Sequence, residues 1–309
     1  MNLQQELNKT GGFKNLELLA KQVVEGFIAG MHKSPFHGFS AEFAEHKIYN
    51  PGESTKHIDW KLYAKTDRLY TKRYDEETNL RCHIVLDNSS SMHYPDTAGN
   101  SIDHLNKVAF SALASACLMF ILKKQRDAVG LSIYSDNYDF YAPEKGSERH
   151  HQMLLYQLSA AVVSKSEAKT TETYKYLHQI AEKIHRRSLI FVFTDMFQTS
   201  ENDEKLFEAL RHLKHNKHEV VLFHVFDKEK EQFFDFDNRP KRFIDVETGD
   251  YINLYADNIK DNYERAVNKY FTDLKMKCGQ YRIKYVEADI NAGFDSVLTT
   301  YMIERQKFL

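Results

Sequence analysis

The sequence predicts an α/β protein, a doubly wound and mostly parallel sheet preceded by an N-terminal helix plus β region. Three observations predict it. Short, largely apolar runs recur at residues 82–86, 129–134, 189–193 and 220–226, each of strand length. Helical stretches separate them, and strands alternating with helices of 10 to 20 residues give a parallel sheet covered on both faces. Two of the runs, finally, end at an aspartate, the first directly at Asp87 and the third at Thr194-Asp195.

The elements follow in order. Leu16, Leu19, Val23, Phe27 and Met31 keep i+3/i+4 spacing and predict one amphipathic helix. A turn cluster at residues 34–38 and another at Pro51-Gly52 frame aromatic, mixed-charge sequence in which strands are expected between residues 40 and 80. These residues form an N-terminal region, 1–80, ahead of the α/β domain, 81–309. In it, Trp60 beside Asp59 reads as a buried structural residue. The domain opens with the strand at 82–86, then a core helix over 108–122 and a strand at 129–134. Helices over 152–163 and 174–184 lead to the strand at 189–193, and a helix over 204–216 leads to the strand at 220–226. Residues 233–254, centred on Thr248-Gly249-Asp250, read as an inserted β-hairpin. The run at 281–286 alternates apolar with basic residues, which fits a sheet edge. The last helix presents Val297, Leu298, Tyr301 and Met302 on one face.

Composition narrows the function classes. The chain has 309 residues, enough for a core that needs no staples. With 42 basic and 44 acidic residues, the net charge of −2 provides no basic field for nucleic acid. Three scattered cysteines, Cys82, Cys117 and Cys278, form no disulfide frame or CxxC knuckle, which favours a reducing compartment. The most apolar run, 108–122, is too short to span a bilayer, and the first residues lack a signal-peptide pattern. The expectation is a cytoplasmic protein without direct membrane insertion.

Ligands of open α/β sheets collect at the carboxyl ends of strands. There Asp87-Asn88-Ser89-Ser90-Ser91 places a carboxylate and two alternate hydroxyls on one loop. A loop that curls around one point brings Asp87, Ser89 and Ser91 together. Hard oxygen donors of this kind suit magnesium, with manganese or calcium as alternatives, rather than zinc. The simpler reading of either aspartate is a cap on the following helix. His93 reads as a solvated loop histidine, and no GxxxxGK[ST] loop exists for a nucleotide.

This order, Asp-x-Ser-x-Ser after the first strand, a threonine cluster before a later helix and Asp195 after a later strand, resembles the von Willebrand factor type A domain and its metal-ion-dependent adhesion site. The resemblance implies a ligand set of Asp87, Ser89, Ser91, Thr171 and Asp195, with Thr171 taken over its neighbours Thr170 and Thr173 for its spacing to Leu177-His178. Met196 stands where many members have glycine. Upstream, Pro51-Gly52-Glu53, Ile58-Asp59-Trp60, Ala64-Lys65, Leu69 and Lys72-Arg73-Tyr74 are similar to the bacterial family catalogued as domain of unknown function 58, with Glu53 and Lys65 in place of the commoner aspartate and arginine. That resemblance implies a MoxR-type AAA+ ATPase as partner, and other von Willebrand type A proteins beside it. The expected function is therefore a non-enzymatic interaction module whose divalent cation is completed by a partner's carboxylate. The rivals are a metal-dependent phosphatase or hydrolase in the same cleft and a degenerate domain that binds without metal. Ser89 stands where an Asp-x-Asp phosphatase needs its second carboxylate.

Overall fold

The computed structural model describes residues 13–31, 46–48, 60–72, 80–96, 104–135, 138–163, 173–196, 200–215, 217–244 and 249–306. Its centre is a six-stranded sheet made of β3 (Arg81–Asp87), β4 (Ala128–Tyr134), β5 (Tyr138–Lys145), β6 (Leu189–Thr194), β7 (Glu219–Phe226) and β10 (Lys284–Asp289). The spatial order is β10-β7-β6-β3-β4-β5, parallel except for β5. Two antiparallel pairs lie outside it, β1 (His46–Ile48) with β2 (Tyr70–Lys72), and β8 (Pro240–Ile244) with β9 (Tyr251–Tyr255).

Alternation along the strands sorts side chains to two faces. Cys82, Ile84 and Leu86 of β3 point into one core with Phe191 and Phe193 of β6. That face is covered by α3 (Lys107–Lys124), α4 (Glu148–Val163) and α8 (Asp295–Arg305), and α1 (Phe13–Met31) packs on α3 and α4. Leu16, Leu19, Ala20 and Val24 of α1 are buried there, so the first helix shares the sheet's own core. Val85, Ile190, Val192 and Leu222 face α5 (Thr173–Lys183), α6 (Ser200–His215) and α7 (Lys260–Gln280). β3, β6 and β7 read as nearly continuous apolar runs, interrupted by His83 and His224, because both of their faces are covered. α3 is buried around most of its circumference and starts at Asn106, whose side chain accepts the Ala109 N–H at 2.8 Å as an N-cap.

Three expectations need correction. Trp60 is 62% exposed; it opens the seven-residue α2 (Trp60–Thr66), and its ring meets Tyr63 edge-on rather than the core. β5, which the sequence reading passed over, is the antiparallel edge opposite β10; Pro143 and irregular pairing with β4 obscure its pattern. β10 begins at Lys284 rather than at residue 281, because Arg282 takes a left-handed φ of 56° and the Ile283 N–H still bonds Cys278 O at 2.9 Å.

After β3 the chain moves outward to β4, whereas β6 returns to the other side of β3. The carboxyl ends of β3 and β6 therefore flank the switch point of the sheet, where open α/β folds form a crevice.

Candidate functional site

Asp87 ends β3, and its side chain is drawn in by its own loop. Oδ1 accepts the Ser89 N–H at 2.9 Å, and Oδ2 accepts the Thr194 hydroxyl at 2.7 Å from the end of β6. The loop then turns once through Ser90–His93, anchored by fully buried Met92. Asn88 N–H bonds Tyr134 O at 2.7 Å, and Asn88 Oδ1 lies 3.1 Å from His93 Nε2. The result brings the Ser89 and Ser91 hydroxyl oxygens 3.1 Å apart. The structure thus gathers Asp87, Ser89 and Ser91 as the spacing predicts. Asp195, just past β6, lies near enough to act electrostatically on Asp87, while Thr171 lies outside the described residues.

Met196 sits at a left-handed φ of 56° with its side chain buried. Its N–H reaches Thr194 Oγ1 at 3.3 Å and its carbonyl accepts the Tyr270 hydroxyl of α7. These two bonds hold a conformation that costs a side-chain-bearing residue on the order of 1 kcal/mol or more.

The residue that sequence reasoning missed is Lys107. Its ammonium donates to Asp195 Oδ2 at 2.9 Å and to Glu231 Oε1 at 2.7 Å, with the lysine side chain only 1% exposed. Glu231 lies in one wide helical turn, Lys228–Gln232, after β7; its Oε2 accepts the Asp227 N–H at 2.7 Å. One signal was present in the sequence. A lysine at the first turn of an apolar helix opposes the helix dipole, and this turn contains no acidic residue, so its counter-charge must come from elsewhere in the fold.

The charges are tightly coupled. Burial, and then the nearby Asp195 carboxylate, push the Asp87 carboxyl up to about 6. Burial alone would lower Lys107, but Asp195 and Glu231 outweigh it and hold the ammonium well above its usual range. Burial raises Glu231 against the pull of Lys107. Two oxygens on adjacent corners of a magnesium octahedron lie about 3 Å apart, given metal–oxygen distances of about 2.1 Å. The Ser89 and Ser91 hydroxyls hydrogen bond to each other at 3.1 Å, a separation that is also the length of that edge, and Asp87 supplies the anionic donor beside them. Such a cation therefore fits the Asp87–Ser89–Ser91 side, whereas the Asp195 side already holds an ammonium. Among the described residues no group of three or more His, Cys, Asp and Glu side chains is arranged to hold a metal.

A second polar chain crosses the sheet. His83 Nδ1 pairs with Glu144 Oε1 at 2.7 Å, and Nε2 with Ser132 Oγ at 2.7 Å. The bonds have the order of a nucleophile, base and orienting acid, yet Ser132 and His83 are fully buried and closed to substrate. This network ties β3, β4 and β5 together.

Comparison with known proteins places the fold's family. Three uncharacterised proteins, one from Mycobacterium bovis and two from strains of Mycobacterium tuberculosis, are 22% identical over 142 residues, which is 46% of this chain and 43% of theirs. The chain thus matches less than half the length of those relatives. The crystal structure of the conserved hypothetical protein BatB from Bacteroides thetaiotaomicron aligns over 74% of this chain and 98% of its own, at 16% identity and a TM-score of 0.44. That of an aerotolerance-related membrane protein from Bacteroides fragilis aligns over 71% and 99%, at 15% identity and a TM-score of 0.41. Residues 45–272 match the family described as protein of unknown function DUF58, and this chain belongs to that family.

Proposed function

We propose that this chain is a non-enzymatic protein-interaction module of von Willebrand factor type A character. It binds a divalent cation, magnesium first, through Asp87, Ser89 and Ser91 at the sheet's switch point and works with a MoxR-type AAA+ ATPase. One observation carries this reading. Asp87 is a buried carboxylate beside a second carboxylate, its own hydrogen bonds come from neutral donors, and two hydroxyls converge next to it. Burying charge in this way is costly unless a cation compensates. When bound, the ion supplies an electrophilic position that an incoming aspartate or glutamate completes. Thr171 and Asp195 complete the ligand set that the family resemblance implies. The chain's own task is to hold the hydroxyls in register, which the Asn88–Tyr134 bond and buried Met92 accomplish.

The second reading, binding without metal, is favoured by Lys107, whose ammonium already compensates Asp195. Co-purification with the cognate ATPase in magnesium and in EDTA, at fixed nucleotide state, tests both. Because the ATPase itself needs magnesium, folded Asp87→Ala decides. Loss of the complex supports the metal-bridged module, whereas wild-type binding by Asp87→Ala overturns it.

A further inference from the structure

We propose that Lys107 is a tethered competitor for the candidate cation site, shared between Asp195 and Glu231, so that filling the site is felt by the segment leading into β8. The inference rests on reading Asp87, Ser89 and Ser91 as that site. Its basis is the placement of a single buried ammonium between two carboxylates from different parts of the chain, at 2.9 Å and 2.7 Å. The helix dipole of α3 and the removal from water both act against a cation at this position, which the two acids and the Tyr94 ring, 5.8 Å away, counter.

Asp195 is also the carboxylate that acts electrostatically on Asp87, and Thr194 beside it bonds Asp87 directly. A divalent ion against Asp87 and the two serines therefore repels the Lys107 ammonium and competes for Asp195. Lysine carries its charge at the end of a flexible stem, so the ammonium can commit to Glu231 without leaving the cleft.

Glu231 is not an isolated acceptor. Its carbonyl accepts the Tyr263 hydroxyl at 2.9 Å, and its turn is fixed by Asp227, whose Oδ1 accepts the N–H groups of Glu229 and Lys230 and the amide of Asn291. The turn leads into Phe234, at a left-handed φ of 47°, whose ring stacks on Phe243 of β8 at 5.2 Å and meets Tyr263 at 4.4 Å. A contiguous path thus runs from the site through Lys107 and Glu231 to the β8–β9 pair, where Ile244, Tyr251, Ile252 and Tyr255 are exposed. A packed chain of this kind transmits a change of state only if one member has two arrangements, and Lys107 is that member. By linkage, anything that binds the β8–β9 pair and shifts Glu231 changes cation affinity by the same factor.

The test is magnesium titration calorimetry on the full chain, with amide hydrogen exchange over residues 228–244. Lys107→Met/Glu231→Gln removes one charge of each sign and leaves Asp195 to the ion. Its magnesium affinity should rise about tenfold or more over wild type. Glu231→Gln alone commits the lysine to Asp195 and should weaken binding. Magnesium should alter exchange over 228–244 in wild type but not in the double variant. Equal or weaker affinity in the double variant, or equal affinity in Glu231→Gln, overturns the role of Lys107 while leaving the cation site standing. Binding by the double variant alone supports the competition in its strongest form. No magnesium binding by either chain overturns the cation reading itself, and this proposal with it.

Discussion

Gly130→Ala should be among the most damaging single-methyl changes in this molecule. Gly130 lies in β4 directly opposite His83 of β3. A Cβ built there falls 2.5 Å from His83 Nδ1 and 2.9 Å from Ala142 O on β5. Normal contact needs roughly 3.5 Å, so the imidazole must retreat by roughly 1 Å. It has nowhere to go. Bonds of 2.7 Å hold it on both sides, to Glu144 and Ser132, and its ring stacks on Tyr141. The retreating atom is the one that pairs with Glu144, a carboxylate whose side chain is 0% exposed. Loosening a hydrogen bond to a buried carboxylate costs about 1.5–3 kcal/mol, and overpacking costs about 1–3 kcal/mol. Because the two overlap, the expected loss is about 2–4 kcal/mol, a large part of a typical stability of about 5–15 kcal/mol. Urea unfolding followed by circular dichroism measures it, with His83→Ala and the double variant completing a cycle. A loss for Gly130→Ala below about 0.5 kcal/mol, or strict additivity with His83→Ala, would refute the argument that crowding acts through the imidazole.

Other expectations are more local. Asp87→Ala should abolish magnesium binding in calorimetry while circular dichroism stays native, and unchanged binding would remove Asp87 from the site. Trp60, exposed on its short helix, should emit at long wavelength and be freely quenched by iodide; Trp60→Ala should change stability by no more than about 0.5 kcal/mol. His224 is buried and pushed down to about 4 from an ordinary value of 6.5, mainly by burial. The neutral ring is the one the fold accepts, so its contribution is complete above about pH 6.5 and is lost as pH falls toward 4, by up to roughly 3 kcal/mol. His224→Leu combined with Tyr285→Phe, which removes the 2.7 Å partner as well, should flatten acid unfolding between those pH values. An acid limb as steep as wild type's would assign the loss to other groups.

The strands were legible where burial was simple. β3, β6 and β7 are buried on both faces, and a run such as Leu189–Thr194 contains little that competes with a strand. β5 was not, since an edge strand with Pro143 and bulged pairing carries no clean alternation. The start of β10 was misplaced because the left-handed turn at Arg282 uses a residue that carries no turn signal. Trp60 misled because composition alone favours burying an indole. In the site, Asp87, Ser89 and Ser91 were legible because one loop supplies all three. Lys107, Thr194 and Glu231 were not, because their meeting depends on the sheet order, which brings together residues up to 124 positions apart.

The packing of α1 has a practical consequence for dissecting this chain. A fragment that begins at residue 81 looks natural on paper, since the first strand of the main sheet starts there. Such a truncation strips Leu16, Leu19, Ala20 and Val24 from α3 and α4 and uncovers the surface around Cys117, whose thiol otherwise meets Ala20 O. An apolar scar of that kind makes a fragment sticky and short-lived in solution. Material for binding or crystallisation work should therefore retain the residues from 13 onward, because Leu16, Leu19, Ala20 and Val24 share the core beneath the sheet.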